Sequence, residues 1–277
     1  MFERNYYCLV AGLREYALDS DTKGFDAAAI VADIVEELSS RDAAAVRLLY
    51  GYYDCENIIA LRAGRSAFNH LGNLTREELG EELSSPRLLP EAVRSVIRAY
   101  NDPEGEDAEG LDMSRSFENA LLNAYYEECA RSKSGFLREW SEFDRTLRNV
   151  TAAVTARAAG RPIEEVTVGE GDIVEQLRRS SAADFGLRGE LPWIDAVIAA
   201  VNDEANLVEK ERKIDRIRWD EAVGLSVFDY FDIDAILSYL VRIGIVARWT
   251  RLDAARGREM FARLMAELDG KELIDKK

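Results

Sequence analysis

The chain has 277 residues, 47% apolar and 32% charged, enough apolar content for a sizeable core and too much for disorder. Its 36 Lys and Arg against 52 Asp and Glu give a net charge of −16. That balance disfavours non-specific binding to nucleic acid or to an anionic membrane surface, both of which need clustered basic residues. No window approaches the ~18 uncharged apolar residues of a membrane span. The opening Met1-Phe2-Glu3-Arg4 has no basic leader followed by an apolar run. Cys8, Cys55 and Cys129 form no CxxC pair and no framework. A reduced, intracellular protein with inert thiols is the expectation.

Taken in chain order, Tyr6 to Leu13 is the best strand candidate, short and ambiguous. Ile30, Val31, Ile34, Val35 and Leu38 then fall on one face of a 3.6-residue helix. Val46, Leu49, Tyr50, Tyr53 and Leu61 form the stripe of a second helix ending at Gly64. Asn101 to Gly110 is acidic, contains Pro103 and two glycines, and reads as a linker. Phe136, Leu137, Trp140, Phe143, Leu147, Val150 and Val154 make a coiled-coil-like seam. A second break runs from Ser180 to Pro192. Ile194 to Trp219 reads as one long helix whose mixed-charge run, Glu209 to Arg218, is a solvent or docking face. Ile233, Ile236, Leu237, Leu240, Gly244 and Ala247 give another helix, and Phe261, Leu264, Met265 and Leu268 the last. The class expected is all-α, cut into segments 1–100, 111–185 and 193–277.

Two stretches echo one another. Tyr53-Asp54 leads through Asn57 and Arg62 to Gly64; Phe143-Asp144 leads through Asn149 and Arg157 to Gly160. The order is the same, with two extra residues before the second asparagine. An amide beside an apolar stripe needs hydrogen-bond partners, so both asparagines are expected to support packing. The two arginines stand where a cation favours a helix C-terminus.

Catalytic chemistry is hard to place. There is no phosphate-binding GxxxxGK[ST] loop and no dinucleotide fingerprint. His70 is the sole histidine, so relays and metal sites that need two are impossible. Asp229, Asp232 and Asp234 are the tightest carboxylate group. They could ligate a divalent cation, although Asp232 suits a helix N-cap and Asp234 the first turn. No cofactor is expected.

The run Tyr6-Tyr7-Cys8-Leu9-Val10-Ala11-Gly12-Leu13-Arg14 resembles the Y-x-Y-L-x-A-R-V-R opening of the C/d central-stalk family of V/A-type rotary ATPases, through Tyr6, Leu9, Ala11 and Arg14. Cys8 stands in place of the second aromatic and Gly12 in place of an arginine. Asp54 to Gly64 is similar to that family's D-x-x-N helix, Phe143 to Gly160 to its second occurrence, and Asp234 to Arg248 loosely to a third. The whole chain also resembles bacterial proteins that open N-Y-Y-x-L-V-A-G-L and are encoded among the components of V-type ATPases. The resemblance implies three helical repeats in a pseudo-threefold funnel. It implies no catalysis, and a central-stalk role coupling the membrane rotor ring to the central axle, with the ring and axle proteins as partners. It also implies a cytoplasmic, peripheral place on the inner face of the membrane. Two alternatives remain open from the residues themselves: a helical adaptor docking through Glu209 to Arg218, and a metal-dependent all-α enzyme using Asp229, Asp232 and Asp234.

Overall fold

A computed structural model describes residues 5–18, 24–203 and 207–251, which are all-helical, with no strand among them. The eleven α-helices are α1 (Tyr7–Gly12), α2 (Ala27–Glu37), α3 (Ser40–Arg62), α4 (Arg76–Ser84), α5 (Glu91–Asn101), α6 (Phe117–Ala130), α7 (Gly135–Ala158), α8 (Asp172–Arg179), α9 (Ile194–Asn202), α10 (Leu207–Gly224) and α11 (Ile233–Arg251). The stripe Phe261 to Leu268 lies outside the described residues.

Local chemistry sets the helix starts. Asp26, Ser39, Ser116 and Ser134 each accept a bond from the backbone N–H three residues on, at the heads of α2, α3, α6 and α7. Thr75 and Glu78 form a reciprocal capping box on α4. Asp232 accepts from the Asp234 and Ala235 N–H groups at 3.0 and 3.1 Å and so heads α11. Asp234 reaches instead to the head of α7, accepting from the Ser134 hydroxyl and the Phe136 N–H.

Every apolar residue of the α7 seam, Phe136 to Val154, is buried, and so are Val46, Leu49 and Tyr50 of α3. The apolar interior has two clusters. The larger joins Tyr6, α2 and the first half of α3 to α7, α9, α10 and α11. The smaller joins Cys55 and Ile58 of α3 to α4, α5, α6 and Val168. Both run across the segment boundaries drawn from sequence, with α3 contributing to each.

Two expectations are corrected. Tyr7–Gly12 is a helix rather than a strand. No strand among the described residues offers it an edge, so its amides are satisfied within a helical turn. The helix expected from Ile194 to Trp219 is α9 and α10, which pack against each other. Asn202 and Asp203 lie at the end of α9, residue types whose side chains compete for backbone bonds and favour helix ends.

Candidate functional site

The two echoing stretches end their helices in the same way. Gly64 after α3 and Gly160 after α7 both have φ +67°. Gly64 N–H donates to the Leu61 carbonyl and Arg65 N–H to Ala60; Gly160 and Arg161 repeat this on Arg157 and Ala156. This is the Schellman closure, which places its turning residue in the left-handed region where glycine costs least.

Arg62 and Arg157 both stand in the last turns of their helices, as the sequence suggested, and their guanidinium hydrogen bonds go to other elements. Arg62 donates to the Tyr100 carbonyl at 3.2 Å and to Asn101 Oδ1, at the end of α5, and lies 4.2 Å over the Phe117 ring. Arg157 donates to the Ser180 and Ala182 carbonyls at 2.6 and 2.7 Å, beyond the end of α8, and lies 3.7 Å over Phe185. The Schellman N–H groups already occupy carbonyls at the ends of α3 and α7, and the guanidinium of Arg62 is used two helices further on, at α5, that of Arg157 one helix further on, past α8.

The asparagines are backbone clamps. Asn57 Nδ2 donates to the Asn69 carbonyl at 2.9 Å, and Asn69 N–H returns a bond to Asn57 Oδ1 at 2.7 Å. Asn149 makes the same exchange with Val168, at 2.9 and 2.8 Å. Both amides are buried. Each therefore fixes the loop that follows its helix through both backbone groups of one residue. They do not stand at equivalent helix positions, however. Asn57 lies seven residues before its closing glycine and Asn149 eleven, a difference of about one helical turn.

Counted from the caps Ser39 and Ser134, the position of Asn149 is that of Asp54. Asp54 accepts from Leu74 N–H at 3.1 Å and from Asn73 Nδ2 at 2.6 Å. Burial raises its pKa, and the bonds from Asn73 and Leu74 pull the other way. In α3, then, Asp54 and Asn57 share the loop-holding that Asn149 performs alone. Asp144, the sequence counterpart of Asp54, belongs to a different place.

That place is a cleft of ≈ 420 Å³ between α3, α6, α7, α10 and α11. Tyr52, Tyr53 and Glu56 enter from α3, Tyr126 from α6, Asp144 from α7, and Gly244 and Arg248 from α11. The expected docking face on α10 turns partly inward here. Glu211, Asp215 and Arg218 all line the cleft.

Asp215 is the hub. Only 2% of its side chain is exposed. It accepts from Arg218 at 3.1 Å, from Arg248 at 2.9 Å and from the Trp249 indole at 2.9 Å. Arg218 also donates to Asp144 at 3.1 Å, and Asp144 accepts the Tyr126 hydroxyl at 2.8 Å. Arg248 pairs with Glu211 as well. Burial works against the charge on Arg218, but Asp144 and Asp215 outweigh it and hold the guanidinium protonated.

Burial drives the Tyr50, Tyr52, Tyr53, Tyr125 and Tyr126 hydroxyls far above the usual phenol range, so they stay neutral donors. Glu56 stands among protein atoms yet is reached by solvent through the mouth of the cleft. Desolvation raises its carboxyl, while the bond from Tyr52 and the charge of Arg148 oppose the rise. Gly244 makes room for this wall: a Cβ there would stand 2.6 Å from the Tyr53 hydroxyl oxygen. Sequence reading missed Glu56, Asp215, Arg218 and Arg248. The i, i+3 pairing of Asp215 with Arg218 was the available signal, hidden in a run that looked like any solvated helix face.

The N-terminal residues act as a strap. Tyr6 is buried; its hydroxyl donates to Asp42 and accepts from Ser39 N–H at the head of α3, while its own N–H donates to the Phe231 carbonyl. Leu9 packs on the larger cluster. The Arg14 carbonyl accepts from the Tyr239 hydroxyl of α11, and Ala11 is exposed. His70 meets Phe68 edge-on and does not line the cleft, although its neighbour Asn69 does. Cys8 is exposed; Cys55 and Cys129 are buried thiols, and burial lifts the Cys129 pKa to about 12. Among the described residues no three His, Cys, Asp or Glu side chains gather as a metal ion would need. Among them, too, no helix is long and apolar enough to cross a membrane.

Fold and cleft define an all-α protein in which α3, α6, α7, α10 and α11 enclose a tyrosine-lined hollow. The chain belongs to the DUF2764 family, described as a protein of unknown function, whose model matches residues 3–271. No curated protein and no solved structure gives a significant match.

Proposed function

We propose that this chain is a non-catalytic central-stalk component of a V/A-type ATPase, coupling the membrane rotor ring to the central axle. One observation supports it above the others. Three of the four stretches that carry the family resemblance fall on α3, α7 and α11, and all three helices line the same cleft. A hollow framed by repeated helices is what an axle socket requires.

The physical task is to pass torque without deforming. Close-packed helices supply stiffness. The Asn57 and Asn149 clamps, with Arg62 bridging to the end of α5 and Arg157 to the chain after α8, resist shear at the loops, where such a body would otherwise yield. The net charge of −16 favours a basic axle tip and makes the docking sensitive to ionic strength. A metal-dependent enzyme would have to free Asp232 and Asp234 from the helix heads they hold.

The test is an affinity pull-down of the tagged chain from gently solubilised native membranes at low and high salt, read by mass spectrometry. Recovery of rotor-ring and axle proteins at low salt, falling at high salt, is the expected result. A soluble partner in their place supports the adaptor alternative and overturns the stalk reading.

A further inference from the structure

The corner between α10 and α11 exposes more apolar surface than a solvated turn needs. Phe228 is 84% exposed and Tyr230 66%, and Val223, Val227 and Phe231 are exposed around them. Tyr7 of α1 completes the patch, its ring centroid 4.6 Å from that of Phe231. The patch is held in place from below. Tyr6 N–H bonds the Phe231 carbonyl, Asp232 heads α11, and Ser238 bonds the Ala222 carbonyl at 2.6 Å.

The charge carried by the corner segment itself has one sign. From Trp219 to Val241 there is no Lys or Arg, while Asp220, Glu221, Asp229, Asp232 and Asp234 all fall in that stretch. Glu221 faces Glu139 of α7, and burial together with that neighbouring carboxylate raises its pKa. On α7, Arg138 is a neighbouring cation, at the Gly135 position beside Asp234 and bonded to the Ser132 and Ser134 carbonyls. The strap segment Asn5 to Leu13 adds no charge of either sign.

We infer that this aromatic corner is a protein docking surface whose partner presents an apolar knob ringed by Lys and Arg. An apolar centre with a charged rim is the anatomy of a specific, reversible interface, and exposed aromatics are its usual anchors. The acidic rim selects the occupant. A second copy of the same corner would set carboxylates against carboxylates, and an anionic lipid surface would be repelled. A basic partner is attracted from a distance and loses that attraction as salt rises. The inference stands apart from the stalk reading: any partner with this chemistry satisfies it.

The test replaces the outward-facing Phe228 by the photo-crosslinking aromatic p-benzoylphenylalanine in the full-length chain and irradiates the native host cells. The expected result is a cross-link to another protein, at a peptide where apolar residues are flanked by Lys or Arg. Its yield should fall about tenfold in the Asp220→Lys, Asp229→Lys double variant, as like charges are brought together. Circular dichroism and melting of the uncross-linked variant check that its fold is intact. A cross-link to a second copy, to lipid, to residues 252–277 of the same chain or to a peptide poor in basic residues overturns the inference. So does no cross-link at all, or a yield unmoved by charge reversal.

Discussion

At Asp215 one carboxylate answers Arg218, Arg248 and the Trp249 indole with almost no help from water. Removing one member of a buried ion pair strands the others, at a typical cost of about 3 kcal/mol. Asp215→Ala is therefore expected to lower the unfolding free energy by about that amount in urea titration. An effect below about 1 kcal/mol would show that solvent already carries the charge. Asn149→Ala leaves the Val168 N–H and carbonyl buried without partners and should cost about 2 kcal/mol. Asn57→Ala should cost less, because its clamp on Asn69 is only partly buried. Glu56 contributes to the pH dependence. Its carboxyl is raised in the folded state, so the folded chain holds the proton more tightly than the unfolded one. Stability from this group is present at low pH and is lost as pH rises from the ordinary glutamate range through the folded value. Glu56→Gln should then raise the melting temperature at neutral pH, with the gain shrinking as pH falls through that window.

At the scale of elements, the closures of α3 and α7 make a matched pair. Nothing lies within 4 Å of a Cβ built on Gly64 or Gly160, so the cost of adding one is conformational alone. Gly64→Ala and Gly160→Ala should each destabilise by about 1 kcal/mol, with equal effects in denaturant melts. Unequal losses would mean that the two joints are not built alike. The helices themselves were legible in the sequence, because the α7 seam and the α3 stripe are spaced by the geometry of a helix with one buried side. The glycine closures were legible for the same local reason. The partners of Arg62, Arg157 and Asn149 were not. Each reaches a loop or helix end 19 to 39 residues further on, and a separation of that kind leaves no periodic trace. Nor could the sequence show that the asparagines sit one turn apart, since their shared letter masks different frames. The α9–α10 break was obscured because the charged run continued the helical composition past Asp203.

For the whole molecule, net charge opposes compactness. Raising ionic strength from about 10 mM to about 150 mM shortens the screening length from about 30 Å to about 8 Å. That should raise the melting temperature of the isolated chain by relieving self-repulsion, since the buried pairs around Asp215 are screened far less. A fall in melting temperature would show that surface ion pairs such as Arg98–Asp107 matter more than the net field. The strap has another consequence, which belongs to biosynthesis. Tyr6 is synthesised long before Phe231, whose carbonyl its backbone N–H meets, and Tyr239 must arrive before the Arg14 carbonyl finds its hydroxyl donor. At roughly 5–20 residues per second, the N-terminal helix waits roughly 10–50 s for the segment that completes its site. Throughout that interval Tyr6, Leu9, Val10 and Leu13 lack the α10–α11 part of the core they finally join. The nascent strap is thus a short apolar segment that waits for the α10–α11 part of its core across more than 200 residues of synthesis, a natural point of engagement for a chaperone.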